Sequence, residues 1–218
     1  MSLGLDAVER LARARSDLRM GAGIAILGPE SGAVVMAAET ASAARLAALR
    51  GLGAVDLAIT DWRAETLKAR AYDGDLARVA LPADAEIDWV RATANPAADL
   101  DWPMKGPYLA RRGGSAALHR AAIALLKGAH LLPAALVVPM GRAEAEAVVA
   151  ANGLSAVERA DVPTAPVAPV LVEMAAARVP LAVSEDGRVR VFRPRRSDRA
   201  PRGAAARSRT SGCRRDRR

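Results

Sequence analysis

At 218 residues, 51% of them apolar but only 3% aromatic, the chain is long enough for a substantial core made mainly of alanine, leucine and valine. No apolar run approaches the ~20 residues that span a bilayer, the charged segment 1–21 does not read as a secretory leader, and a single cysteine, Cys213, excludes an internal disulfide. A cytoplasmic protein with no membrane partner is the expectation. The formal charge of +8 hides a split, since residues 193–218 hold 11 arginines against two acids, while the rest of the chain holds 21 basic and 22 acidic side chains.

Taken in order, Leu5, Val8, Leu11, Ala12, Arg15 and Leu18 space out one face of a first helix that ends near Gly21 and Gly23. Ile24 to Leu27 and Ala33 to Ala37 read as two strands of a hairpin around the turn Gly28-Pro29-Glu30-Ser31-Gly32. Thr40 or Ser42 caps a short helix through Leu46 and Leu49, stopped by Gly51 and Gly53. Val55 to Ile59 is a third strand, and Thr60 and Asp61 open a helix to about Lys68. Asp75 to Leu81 alternates weakly, Trp89 to Thr93 reads as a strand, and Asn95 to Pro107 is rich in turn residues.

The most informative stretch is Arg111-Arg112-Gly113-Gly114-Ser115, which directly precedes a helical pattern of Leu118, Ala121, Ala122, Leu125 and Leu126. Ser115 suits an N-cap, and Gly128 and Pro133 punctuate the far end before a buried strand at Ala134 to Val138. Glycines at a helix start, its free N–H groups and an adjacent arginine suit a phosphate; the same residues also suit a plain tight turn with solvated arginines. Phosphate-binding candidates are therefore Arg112, Gly113, Gly114 and Ser115. Arg142 to Ala151 is an alanine- and glutamate-rich helix stopped by Asn152-Gly153, with Glu144 and Glu146 on different, solvated sides. Pro163, Pro166 and Pro169 mark a linker, Val170 to Arg178 reads as helix, and Leu181 to Phe192 alternates around the hairpin signal Asp186-Gly187. Alternating strands and helices give an α/β class, an α/β/α sandwich with a mixed sheet. The arginine-rich end reads as a disordered tail able to hold nucleic acid through phosphate charge with little specificity, since it has no aromatic to stack a base.

Four segments, in this order, resemble 3,4-dihydroxy-2-butanone 4-phosphate synthase, the riboflavin-pathway enzyme acting on ribulose 5-phosphate. They are the first helix into Gly23-Ile24-Ala25-Ile26-Leu27, then Val35-Met36-Ala37-Ala38-Glu39-Thr40, then Gly53 to Thr60, and Arg112-Gly113-Gly114 through Pro133-Ala134-Ala135. The phrases Arg63-Ala64-Glu65-Thr66-Leu67-Lys68, Pro103-Met104-Lys105-Gly106-Pro107 and Ala177-Arg178-Val179-Pro180-Leu181 look like bacterial GTP cyclohydrolase II proteins that carry a diverged copy of that synthase domain. The resemblance implies a synthase-like domain at 1–162, a linker helix and the start of a truncated cyclohydrolase domain at 163–192, and the arginine tail at 193–218, as in a shortened or frame-altered product. It also implies a homodimer.

What the resemblance requires at the reaction centre is largely missing. A synthase of this kind holds magnesium on an acidic loop between its first two strands, and here that turn has one carboxylate, Glu30. Ser115 stands where the family has a histidine, Asp56 where it has a cysteine, and Pro139 near its metal-binding glutamate. The cyclohydrolase needs three cysteines for zinc, and Cys213 is alone; His119 and His130 lack the spacing of a metal pair. The expectation is a catalytically inactive domain with no metal or cofactor of its own, serving folding or dimerisation. The alternative is a sugar-phosphate enzyme with a rearranged site that uses Glu30, Glu39 or His119 for proton transfer. Trp62, Trp89 and Trp102 read as core or rim residues, with Trp102 before Pro103 able to line a cleft.

Overall fold

A computed structural model describes residues 4–163, 171–179 and 187–194, in two compact units, 1–166 and 167–218. In the first unit the elements run α1 (Ala7–Arg19), β1 (Ile24–Leu27), β2 (Ser31–Ala37), α2 (Ala43–Leu52), β3 (Asp56–Thr60), α3 (Asp61–Thr66), β4 (Leu76–Ala80), α4 (Ile87–Ala94), α5 (Ala117–Gly128), β5 (Ala134–Gly141), α6 (Arg142–Asn152) and β6 (Ser155–Glu158). The six strands form one sheet in the order β4-β3-β5-β2-β1-β6. Every pairing is antiparallel except that of β1 with β6, so the sheet is mixed, as the alternating pattern implies.

The strands are short and almost wholly buried, which makes both sheet faces apolar and calls for helices on each. Ile24, Ile26, Val35, Ala58 and Val137 point to one face, where α1 and α5 pack. Val34, Met36, Leu57, Ile59 and Leu136 point to the other, against α2, α3 and α4. Ala25 and Leu27 meet Ala145 of α6 on that second side. Small side chains set the spacing: a Cβ added at Gly32 of β2 would come within 2.5 Å of the Ala145 Cβ, so α6 lies directly on the strand.

The caps follow the sequence closely. Asp6 and Glu9 form a capping box at α1, Ser42 caps α2 and Thr60 caps α3 through their hydroxyls, and Gly153 closes α6 in the left-handed region. Thr40 does not cap; its hydroxyl donates to Leu18 O at 2.7 Å. The inner face of α1 is Leu11, Ala14 and Leu18. Leu5 and Val8, expected there, are exposed, because the short helix reaches the sheet only from its second turn onward.

Residues 89–93 form part of helix α4, not a strand. Val90, Ala92, Thr93 and Ala94 are buried on that helix, and tertiary packing overrides the β propensity of Trp89, Val90 and Thr93. Strand β6, pairing in parallel with the edge of β1, has no counterpart in the sequence reading. In the second unit, residues 171–178 are strand β7 (Leu171–Arg178) rather than helix, paired antiparallel with β8 (Arg188–Pro194). The hairpin partner of β8 is thus the 171–178 segment; Asp186 and the tail beyond Pro194, Cys213 included, lie outside the described residues.

Between α4 and α5 the chain runs as an extended strap, opened by one 3-10 turn at Pro96–Ala98. Its fastening is ionic. Arg63, buried at the start of α3, donates to both oxygens of Asp99 at 2.6 and 2.7 Å and to the carbonyls of Ala92 and Thr93. Lys105, also buried, donates to Asp99 at 2.5 Å and to Ala92 O. The Trp89 indole N–H donates to Lys105 O at 3.0 Å, and its ring lies 5.8 Å from that of Tyr108. Hydrogen bonds from Arg63, supported by Lys105 and opposed by burial, hold the Asp99 carboxyl well below its usual value of 3.8.

A carboxyl whose folded-state pKa is depressed stabilises the fold fully above its unfolded value and loses that contribution as pH falls toward the folded value. Chemical denaturation between pH 7 and pH 2 is therefore expected to show a stability loss below about pH 4 that Asp99→Asn reduces. The same substitution is expected to cost about 2 kcal/mol at pH 7, the range for hydrogen bonds to a charged group.

Candidate functional site

The strap delivers the glycine loop to the edge of the sheet. Ala110 bridges Val79 of β4, and Arg111 N donates to Arg78 O at 2.8 Å, so the chain is laid along the edge strand before it turns. Gly114 has φ of +78°, which a side chain would strain, and Gly113 has open space around it. Helix α5 begins at Ala117 with Ala116 as its N-cap. Ser115 is therefore not the cap residue, although its hydroxyl does a cap's work by accepting from Ala117 N at 3.2 Å. That hydroxyl keeps its own hydrogen for a ligand.

Four arginines surround the loop, and they differ in their partners. Arg78, buried in β4, is bound by Asp73 through two bonds of 2.7 and 3.0 Å and reaches Gly114 O at 3.5 Å. Arg120 grips Asp75 at 2.6 and 2.7 Å, and this hydrogen bonding lowers the Asp75 carboxyl pKa. Arg111 bonds Asp56. Arg112 is exposed, sits over the Tyr72 ring at 4.8 Å, and pairs with no carboxylate among the described residues. Of the four, it is the arginine whose charge is uncommitted and faces solvent beside the glycines.

Asp56, the first residue of β3, is 1% exposed. It accepts from Arg111 Nε on one oxygen and faces His119 Nε2 at 3.2 Å on the other. His119, 2% exposed in the first turn of α5, has no partner at Nδ1. His119 Nε2 can donate to Asp56, which leaves Nδ1 as the ring atom without a partner. His119 is thus next to the loop but aimed into the protein.

The other proton-transfer candidates are far apart. Glu30 lies in the β1–β2 turn, exposed, and Glu39 follows the opposite end of β2, where its carboxylate accepts from Leu132 N at 2.8 Å. Seven strand residues separate the two ends, roughly 20 Å at ~3.3 Å per residue. Glu30 and Glu39 cannot share one substrate atom.

The β1–β2 turn is also a poor magnesium site. Arg142 at the start of α6 donates to Gly28 O at 2.7 Å and to both oxygens of Glu158 at 2.8 and 3.1 Å, with Glu146 on its Nε. These bonds from Arg142 lower the Glu158 carboxyl pKa. A fixed guanidinium beside the turn, with one free carboxylate in it, does not fit a divalent cation that needs several oxygen ligands. Among the described residues no group of three or more His, Cys, Asp or Glu side chains is placed to hold a metal ion.

The pairing of Asp56 with Arg111 and His119 is not encoded in local spacing. Local spacing points to Arg112 as the anion-facing arginine and not to Arg111, and Asp56 stands out in sequence only as a departure from the family pattern. A lone carboxylate at the head of a buried strand was the available signal, because such a group must find a cation or donor.

No family model matches the sequence, and no curated relative matches it at significant similarity. Solved structures do match its fold. A 3,4-dihydroxy-2-butanone 4-phosphate synthase of Candida albicans aligns with a TM-score of 0.51 at 16% identity, over 69% of this chain and 94% of that one. A cation-free form of such a synthase aligns at 0.55 and 16%, over 72% and 95%. A two-domain synthase from A. baumannii aligns at 0.53 and 15%, over 85% of this chain and 66% of that one. The chain has the α/β fold of these synthases. Among the described residues, no helix is long and apolar enough to cross a membrane.

Removing the carboxylate that joins Arg111 and His119 tests how much this cluster holds. Asp56→Ala leaves a guanidinium and a buried imidazole without their acceptor and is expected to destabilise the fold by about 3 kcal/mol. In urea denaturation, Asp56→Ala combined with Arg111→Ala is expected to cost clearly less than the two single changes added together.

Proposed function

We propose that this chain is a degenerate synthase-like domain of the riboflavin pathway, of the bacterial GTP cyclohydrolase II type, which serves folding or dimerisation rather than catalysis and retains a phosphate-binding loop. The observation that carries this reading is the Asp56–Arg111–His119 cluster. The charged groups nearest the glycine loop are spent on one another, while Arg112, Gly113, Gly114 and Ser115 stay open to an anion. The turn occupied by Arg142 supports the same conclusion, since metal-assisted enolisation has no ligand set there.

The loop is expected to bind phosphate or a sugar phosphate without magnesium, with an affinity on the order of millimolar, because one uncommitted charge and a few N–H groups give only a few kcal/mol. The check is an NMR titration with ribulose 5-phosphate, with and without magnesium, followed at the Gly113 and Gly114 amides. Arg112→Ala should weaken binding several-fold and leave the fold intact, since it removes an exposed side chain. Unmoved amides at ~10 mM ligand reduce the loop to a turn. Formate produced from ribulose 5-phosphate above a no-enzyme control favours the alternative, an active enzyme with a rearranged site and His119 as its nearest proton acceptor.

Self-association is the second expectation. Trp62, Leu100, Met104 and Leu109 stand exposed on α3 and the strap and offer apolar side chains to a second copy. Size-exclusion chromatography with light scattering at tens of micromolar is expected to give a dimer mass. A strict monomer counts against this part of the reading without touching the phosphate loop.

A further inference from the structure

A pocket lies at the end of the sheet where β1 and β6 begin, walled by α1, α2 and α6. Its volume is about 420 Å³, within the roughly 300–1,000 Å³ of small-molecule sites. It opens between α2 and α6, at the first residues of β1 and β6. Val34 and Met36 of the sheet, Leu49 of α2 and Leu154 before β6 make an apolar floor. Two arginines stand in its lining, Arg13 from α1 and Arg45 from α2.

The electrostatics of the lining are lopsided. Arg13 has no bonding partner among the described residues. Arg45 uses Nη1 on Met20 O at 3.1 Å and meets no carboxylate, which leaves the rest of its donor fork open. The one carboxylate in the lining, Asp17, accepts from the Ser155 hydroxyl at 2.5 Å. Two guanidinium groups against one carboxylate leave a single positive charge above an apolar floor.

We propose that this pocket binds a small amphipathic monoanion, a carboxylate carried on a short aliphatic body. Charge complementarity selects the anion. The apolar lining selects the body, because Leu52, Val148 and Leu154 remain only half-buried there and a bare phosphate would gain nothing from covering them. A doubly charged sugar phosphate fits poorly for the same reason, so the site differs in ligand class from the glycine loop and stands independently of the reading given above.

The test uses the full chain and three probes, octanoate, octan-1-ol and inorganic phosphate, followed by amide NMR. Octanoate is expected to give saturable shifts at Gly23, Leu154 and Ser155 with a dissociation constant near or below about 1 mM. Hexanoate should bind roughly tenfold more weakly, since it buries two fewer methylenes. Octan-1-ol should bind several-fold more weakly than octanoate, and phosphate should leave these three amides in place. The double variant Arg13→Glu with Arg45→Glu changes two exposed side chains and should weaken octanoate at least fivefold while the rest of the spectrum stays folded. Ala48→Trp, at an exposed position in the lining, should block the pocket sterically and abolish the shifts. The proposal is overturned if octanoate moves none of the three amides at ~10 mM, if octan-1-ol binds as tightly as octanoate, or if the double variant binds octanoate as well as the parent.

Discussion

A carboxylate in the middle of an apolar sheet constrains everything near it. Asp56 opens β3, second strand from the edge, with Val137 and Ala80 as its neighbours in register. Leaving that charge unpaired in such surroundings would cost several kcal/mol. The fold answers with Arg111 from the end of the strap and His119 from the start of α5, and these two contacts fix where the glycine loop between them must sit. Arg63, Asp99 and Lys105 act on the same segment further back, holding the strap against α4. The loop is thus positioned by ion pairs at both approaches, more than by packing of its own small residues.

This arrangement bears on chemistry as well as on stability. A site that turns over a sugar phosphate needs a side chain free to take or give a proton at the reacting carbon. Around this loop the partners are already chosen: Asp56 with Arg111 and His119, Asp73 with Arg78, Asp75 with Arg120, Glu158 with Arg142. The shared fold with solved synthases and the committed charges are compatible, because the same scaffold supports an active or a quiet site depending on a few side chains.

Much of the fold was legible from local pattern. Apolar spacing marked α1, capping residues marked α2 and α3, short apolar runs marked β1 to β3 and β5, and Gly153 marked the end of α6. The failures share a cause. Trp89 to Thr93 carries β-formers yet packs as a helix, and Leu171 to Arg178 carries helix-formers yet pairs as a strand with β8; in both, distant partners outweigh propensity. Strand β6 is four residues long with weak alternation, and only the exposed edge of β1 gives it a reason to extend. At the site, the glycines and Arg112 could be read directly. The pairing of Asp56 with residues 55 and 63 positions away could not, because nothing in local spacing encodes a contact across the sheet.

The scarcity of aromatic side chains has a spectroscopic consequence. All three tryptophans, Trp62, Trp89 and Trp102, belong to α3, α4 and the strap, and none lies on α1, α6, β1 or β6. Trp62 and Trp102 are exposed, while Trp89 is half-buried and tied to Lys105. Ultraviolet emission from this protein therefore reports on one flank of the sheet. A change in emission records the strap loosening from α4, and events at the β1–β6 edge, with α1 on one face and α6 on the other, pass without an optical signal of their own.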